Sequence, residues 1–154
     1  MWFFGMHIVD VSDQAAPRLI TSSYETGPPL GIEVAGNLAY VAAGDRGLEI
    51  VNVSDPAAPK RLNSFETKAG DVAVIDNLAY VADWVHGLQI IDISDPAAPS
   101  LLSTLDTPGQ ARGISVVGDR AYIAAGEHGL QIIDISNPTA STLLGSYDTG
   151  WRRK

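Results

Sequence analysis

Apolar positions along this chain fall into short runs of about five or six residues, separated by Gly, Asn, Asp, Ser and Pro, and the same run returns at a nearly fixed interval. GMHIVDVSDQAAP begins at Gly5, GLEIVNVSDPAAP at Gly47, GLQIIDISDPAAP at Gly87 and GLQIIDISNPTAS at Gly129, so the spacings are 42, 40 and 42 residues. A second series keeps the same step: NLAYVA from Asn37, NLAYVA from Asn77 and DRAYIA from Asp119. A third consists of YET, FET, LDT and YDT, ending at Thr26, Thr67, Thr107 and Thr149. Self-similarity near 40 residues marks a repeat architecture and governs how every other motif is read.

Each unit holds four strand-like runs. In the last unit these are Gly113 to Val117, Ala121 to Ala125, Leu130 to Ile135 and a run around Leu143 to Asp148. The runs are rich in Val, Ile and Tyr and are bounded by Gly-Asp, Gly-bearing and Ser-Asn-Pro turns, which predicts antiparallel strands joined by hairpins. None shows a 3.6-residue period over ten residues, so no helix longer than about two turns is expected between residues 20 and 150.

Four antiparallel strands per unit of about 40 residues predict an all-β chain of β-propeller blades, an incomplete propeller of about 3.5 blades. The strands are named a to d from the central axis outwards. Covered on both faces by neighbouring blades, strand c would be nearly continuously apolar, as LQIIDI is. Pro17, Pro59 and Pro99 stand at the start of strand d, the outer edge, where a missing N–H donor is tolerated; Ser141 takes that place in the last unit. A β-sandwich has strands at similar spacing but no reason to repeat one sequence in every fourth strand. The expected domain runs over 5–150, as a half blade (5–27) and three blades (28–68, 69–108 and 109–150), followed by a 151–154 tail.

Composition narrows the function classes. At 154 residues and 45% hydrophobic, the chain is long enough to bury a sizeable core. Asp and Glu outnumber Lys and Arg 18 to 10, a net charge of −8, which argues against phosphate-backbone binding and against docking on anionic membranes. Without cysteine, disulfides, thiolate metal sites and cysteine nucleophiles are excluded. Met1 to Val9 is apolar but has no basic start, is cut short by Asp10 and is far below the roughly 20 residues of a membrane span. No export signal and no membrane insertion are therefore expected.

The strand-c segments HIVDVS, LEIVNVS and LQIIDIS, the turn SDPAAP and the GNLAYVA-like hairpin resemble the LVIVD-type repeat of bacterial and archaeal propeller proteins. The resemblance covers nearly all of residues 5 to 150. It implies a propeller fold and an extracellular or cell-surface habitat, and it implies no reaction. Against that family the chain shows no export signal and few blades. Its N-terminal unit offers only strands c and d, so the expectation is a piece of a longer propeller, a protomer completed by other copies, or an open arc. End blades with uncovered apolar faces predict dimers or larger species when this chain is made alone.

The repeats also serve as an internal control for candidate chemistry. Asp10, Asn52, Asp92 and Asp134 share one position, just before Ser12, Ser54, Ser94 and Ser136. Short polar side chains there are expected to bond nearby backbone and shape the c–d turn. His86 and His128 share a position in adjacent b–c turns, where the first full unit has Arg46. Packed sheets stand about 10 Å apart, whereas zinc ligands lie about 2.0–2.1 Å from the ion, so no shared metal is expected. No nucleophile elbow, phosphate loop or calcium loop occurs, and neither a cofactor nor catalytic residues are expected.

Departures from the repeat carry more information. Trp84 replaces the Gly44 and Gly126 of the other b–c turns, and Asp83 replaces Ala43 and Ala125. An aromatic there is either a binding anchor or a ring packed over the adjacent blade's loop. The d–a loops vary too, placing Asp71 and Arg112 in adjacent blades as a bipolar patch or an ordinary ion pair. Strand order puts the d–a and b–c loops on one propeller face, so the candidate ligand face comprises Trp84, His86, His128, Asp71 and Arg112. The expected function is a non-catalytic interaction scaffold, part of a larger surface or secreted protein, with an unknown protein or carbohydrate ligand and partners among homo-oligomer copies or additional blades. The alternatives are a structural spacer, or the non-catalytic portion of a propeller enzyme whose active site lies on other blades.

Overall fold

The protein is seen here in a computed structural model that describes residues 5–24 and 26–150; the expected 151–154 tail and the start of the apolar Met1 to Val9 stretch lie outside the described residues. Four antiparallel sheets follow one another along the chain. The first has two strands, β1 (Met6–Asp10) and β2 (Arg18–Ser23). The second comprises β3 (Gly31–Ala35), β4 (Leu38–Ala42), β5 (Leu48–Asn52) and β6 (Lys60–Phe65). The third is β7 (Ala69–Ile75), β8 (Leu78–Asp83), β9 (Gly87–Asp92) and β10 (Ser100–Leu105). The fourth is β11 (Gly113–Val117), β12 (Arg120–Ala124), β13 (Leu130–Asp134) and β14 (Thr142–Tyr147). Each four-stranded sheet pairs its strands in sequence order, the a-b-c-d meander of a blade, and β1–β2 are strands c and d of a half blade. Among the described residues the helical content is a single 3₁₀ turn, Gly126–His128.

Register is the same in every blade. Tyr40 faces Ile50, Tyr80 faces Ile90 and Tyr122 faces Ile132 across the b–c ladder. Every d strand carries a bulge, which leaves Ile20, Leu62, Leu102 and Leu144 without a partner on strand c. A bulge bends and twists the strand, and together with the proline before β2, β6 and β10 it makes the outer edge a poor template for strand addition. In three units the bulge falls at an adjacent apolar pair, Leu19-Ile20, Leu101-Leu102 and Leu143-Leu144, and in β6 at Arg61-Leu62.

The hydrophobic core lies between blades. Tyr40, Ala42, Leu48 and Ile50 of the first full blade pack against Val72, Val74, Val81 and Ile91 of the second. Tyr80, Ala82, Leu88 and Ile90 then meet Ala121, Ile123, Ile133 and Ile135 of the third. Met6 and Ile8 of the half blade cover Ala39, Val41 and Val51. Strand residues thus alternate between a forward and a backward interface, both dry, which is why strand c is apolar at nearly every position.

Turn chemistry repeats as closely as packing. The amides of Ser12, Ser54, Ser94 and Ser136 donate to the Oδ1 of Asp10, Asn52, Asp92 and Asp134 at 2.8–2.9 Å. Two residues after Asp13, Asp55, Asp95 and Asn137, a second amide bonds the side-chain oxygen at 3.0–3.1 Å. The Ser12 amide holds Asp10 below the usual carboxylate range, and the Ser94 and Ser136 hydroxyls do so most strongly for Asp92 and Asp134. Neighbouring blades are clasped at the rim, where Asn63 Nδ2 donates to the Ala97 carbonyl and Ser103 Oγ donates to the Pro138 carbonyl at 2.6 Å.

The two ends of the stack differ from its middle. Ile90 is fully buried, whereas Ile132, in the same register, is only half-buried because no blade among the described residues follows it. Ile90→Ala is expected to lower unfolding stability by about 2–5 kcal/mol, and Ile132→Ala by less than half as much, as read by urea denaturation. Equal losses would show that the forward face of the third blade is covered in solution.

Candidate functional site

On the face carrying the d–a loops and b–c turns, the departures from the repeat collect around the inner strand starts. Trp84 is half-buried. Its indole lies over two glycines, such that a Cβ at Gly70 would stand 2.5 Å from Nε1 and one at Gly44 would stand 3.3 Å from Cη2. The ring therefore packs over the b–c turn of the preceding blade, and only glycine at position 70 leaves room for it. The backbone beneath is braced: Gly44 N–H donates to the Ala69 carbonyl at 2.9 Å, Ala69 N–H returns the bond at 3.2 Å, and Trp84 N–H donates to Lys68 O at 3.0 Å.

Beside Trp84, Asp83 is completely buried at a position where the other blades have alanine. Its Oδ2 accepts from Thr67 Oγ1 at 2.5 Å and Lys68 N at 2.7 Å; its Oδ1 accepts from the amides of Val85 and His86, both at 2.7 Å. His86 Nδ1 sits 3.2 Å from the same Oδ1. Burial opposes ionisation of this carboxyl, but the bonds from Thr67, Lys68, His86 and Val85 prevail and bring its pKa to about 2. Sequence reasoning noted Asp83 only as Trp84's neighbour; its role is to fix the turn that presents the indole. The corresponding threonines, Thr26 and Thr107, have buried hydroxyl oxygens without a hydrogen-bond partner, in blades where Ala43 and Ala125 stand at the carboxylate position.

Trp84 and Arg112 line one depression of about 510 Å³ with Leu30, Gly70 and Gln110. Leu30, Gly70 and Arg112 occupy the same d–a position in three successive blades. Arg112 and Gln110 also border a second depression, about 680 Å³, with Gly109, Glu127, His128 and Thr149 among its lining. The exposed Arg112 guanidinium donates to Gln110 Oε1 at 2.7 Å. Arg112 thus joins the two depressions, one containing Trp84 and the other His128.

Two expected members stand apart. Asp71 does not pair with Arg112: it takes the position of Gly31 and Gly113, and its Oδ2 accepts the Ile114 amide of the next blade at 3.0 Å. A Cβ at Gly31 would meet Asp71 Oδ1 at 2.2 Å, so Asp71 wedges the inner strands of three blades together. His86 borders neither depression, and its imidazole is turned to Asp83. Among the described residues no group of three His, Asp or Glu side chains could hold a metal ion.

Elsewhere, buried Glu49 stands where the later blades have Gln89 and Gln131. Its charge is answered by Arg46 Nε at 3.3 Å and Arg61 Nη1 at 3.5 Å, and its Oε2 accepts Gly27 N–H at 3.3 Å. The two ion pairs lie within the first full blade, and the Gly27 bond ties that blade to the end of the half blade, a role the sequence reading did not assign.

With fold and site in view, comparison with known proteins is informative about the family and the architecture. The family model for the LVIVD repeat matches residues 3–26, 29–67, 66–107 and 108–149. Comparison with curated proteins finds no match. Among solved structures, a functionally unknown protein from Desulfotomaculum acetoxidans DSM 771 aligns with TM-score 0.77 and 14% identity, over 94% of this chain and 49% of that one. The computationally designed Ika8 protein aligns with TM-score 0.60 and 11% identity, over 86% and 40%. Kluyveromyces lactis Hsv2 aligns with TM-score 0.55 and 17% identity, over 81% and 38%. At these identities the likeness shows the fold alone, and the chain spans about half the length of the first of these structures.

Asp83 makes a pH-dependent contribution whose sign follows from its lowered pKa. Stability from this group is fully present above the unfolded carboxylate value near 4 and is lost as pH falls through about 2. Asp83→Asn is expected to reduce stability at pH 7 by roughly 2 kcal/mol and to flatten the stability decline between pH 4 and 2, as read by urea denaturation across that range.

Proposed function

The chain belongs to the LVIVD repeat family, and we propose that it is a non-catalytic binding scaffold whose ligand, a protein or carbohydrate surface, is met by the Trp84–Arg112 depression. One observation carries this reading: residues that break the repeat in three successive blades, Leu30, Gly70 and Arg112, converge with Trp84 around a single depression. The opposite propeller face is built from near-identical Ser-Asp-Pro turns with the same two Asx bonds in each, and offers little to discriminate one partner from another. Varied loops on a rigid scaffold are where binding residues concentrate.

The chemistry of the depression fits contact recognition. An indole held over backbone supplies a flat apolar platform at low entropic cost, and Arg112 with Gln110 supplies hydrogen-bond donors and an acceptor at its border. Trp and Arg are the side chains most enriched at energetic hot spots. His128, on the far side of Arg112, extends the polar border. Asp71, Asp83 and His86 act here as supports and do not touch the ligand. A hydroxyl–imidazole pair, Ser22 Oγ with His7 Nδ1 at 2.8 Å, lies exposed on the half blade, and this reading gives it no catalytic part.

Glycan and peptide arrays supply the probe for testing this reading. For a hit, Trp84→Ala and Arg112→Ala are each expected to weaken binding by about 2 kcal/mol, near thirtyfold, while Asp95→Ala on the opposite face leaves it unchanged. Arg112 guards against a folding artefact, since its side chain is exposed and, among the described residues, hydrogen-bonds Gln110 alone. Loss at Asp95 alone, or equal loss at all three, would move the site to the other face.

A further inference from the structure

Resting on the reading of the Trp84–Arg112 depression as a binding surface, we infer that its ligand is an acidic glycan, a sugar chain that presents one carboxylate to Arg112 and Trp84. The polar groups of the lining carry this. Of the residues bordering the depression, Leu30 and Gly70 have no polar side-chain group, which leaves Trp84, Gln110 and Arg112. The Arg112 guanidinium donates to Gln110 Oε1 at 2.7 Å and so engages the one side-chain acceptor among them. What stays without a partner among the described residues is all donor: the Trp84 indole N–H, the Gln110 amide NH2 and the rest of the guanidinium. Trp84 is half-buried, and a buried tryptophan N–H ordinarily has an acceptor. A wall of donors selects a ligand rich in acceptors, and a carboxylate meets the guanidinium fork with two oxygens.

Two departures from the repeat build this donor set. Arg112 stands where the preceding blades have Leu30 and Gly70, and its d–a loop is longer: four residues, Pro108 to Ala111, follow Thr107, against two, Lys68 and Ala69, after Thr67. The added length places Gln110 beside Arg112. Trp84 Nε1 reaches the same place because residue 70 is glycine: a Cβ there would stand 2.5 Å from Nε1 and 3.2 Å from the Ala111 carbonyl, in the arginine's own loop. The charge of Arg112 is also uncommitted. Arg46 and Arg61 pair with Glu49, Lys68 with Asp45 and Arg120 with Asp134, whereas among the described residues no carboxylate pairs with Arg112. In a chain of net charge −8, that leaves one guanidinium for an acid brought from outside.

The neighbouring depression sets what the rest of the ligand is. Arg112 and Gln110 border it too, but its lining adds the exposed Glu127 carboxylate, with His128 and Thr149. Glu127 accepts hydrogen bonds from hydroxyls and repels a second acid, so the ligand's carboxylate is followed by an uncharged, hydroxyl-bearing unit. Repulsion from the chain's net charge of −8 disfavours a dense polyanion such as a nucleic acid or a heavily sulfated chain. Against an acidic peptide stands the scarcity of apolar enclosure. Leu30 and Trp84 are the two apolar side chains of the first depression, and the indole lies over Gly44 and Gly70. A protein anchor is strongest in a well-packed, desolvated pocket, whereas the C–H face of a pyranose stacks on an open ring. The occupant is a uronate sugar on the Trp84 side, joined to a neutral sugar on the Glu127 side.

Glucuronate- and galacturonate-containing disaccharides are the probes, each beside its methyl ester, which keeps the sugar and removes the charge. The readouts are affinity by calorimetry and the indole N–H resonance of Trp84, identified by its absence from Trp84→Phe. At least one free acid is expected to shift that resonance and to bind about tenfold tighter than its ester. Arg112→Gln, at an exposed position, is expected to erase the preference for acid over ester while the midpoint of thermal unfolding stays unchanged. Trp84→Phe, which keeps a ring and removes the N–H, is expected to weaken the acid more than the ester. Equal affinity for acid and ester, a preference that survives Arg112→Gln, or an indole resonance that no uronate moves would each overturn the inference. So would a shift produced by a Glu-rich peptide and by none of the sugars. A neutral glycan whose binding is lost in Trp84→Ala would still leave the scaffold reading standing, so the two readings fail separately.

Discussion

Every sheet in this protein has two apolar faces and can hide neither by itself. A blade becomes stable when another blade covers it, because the free energy resides in apolar area removed from water between sheets. Strand c shows the consequence most plainly: Leu88, Ile90 and Ile91 are all completely buried, the first two facing forwards and the third backwards. Stability is then a sum over nearest neighbours, as in other stacked repeats, and the terminal faces are where the sum is incomplete. Tyr122, Leu130 and Ile132 at one end, and Ile32 and Val34 beside the half blade, repeat residues that are buried in the middle.

The same constraint separates scaffold from surface. Positions between sheets cannot vary without opening cavities, so what individualises the chain is pushed into loops. On one propeller face even the loops are uniform, because the c–d turns are built by the same pair of Asx bonds in all four units. On the other face the blades diverge, and each divergence is matched locally. Glu49 replaces glutamine and gains two arginines; Asp83 replaces alanine and gains Thr67 and three amides; Trp84 replaces glycine and lies on Gly44 and Gly70.

These substitutions serve different ends although they lie close together. The Asp83 carboxylate is fully enclosed and its hydrogen bonds end within the protein, so it positions the turn. Asp71 is likewise consumed internally, tying the third blade's inner strand to the second. Trp84 and Arg112, by contrast, border one depression, and Arg112 and His128 the other. The distinction is between charges whose partners are built in and groups left available.

The repeat period, the strand order, the turn residues and the class of fold were all legible in the sequence, because a blade is a local unit whose four strands are contiguous in the chain. The even burial of strand c was legible for the same reason. The roles of Asp71, Asp83 and Glu49 were not. Each takes at least one hydrogen bond from a group 15 to 43 residues away, across a blade boundary or a d–a loop, and nothing in the local pattern distinguishes an enclosed carboxylate from an exposed one. Trp84 was legible as an exception and ambiguous in purpose. Only packing shows that it lies over the neighbouring turn while still bordering the depression that Arg112 enters from the next blade. Periodicity thus determined what each blade is, and contact between blades decided what its exceptional residues do.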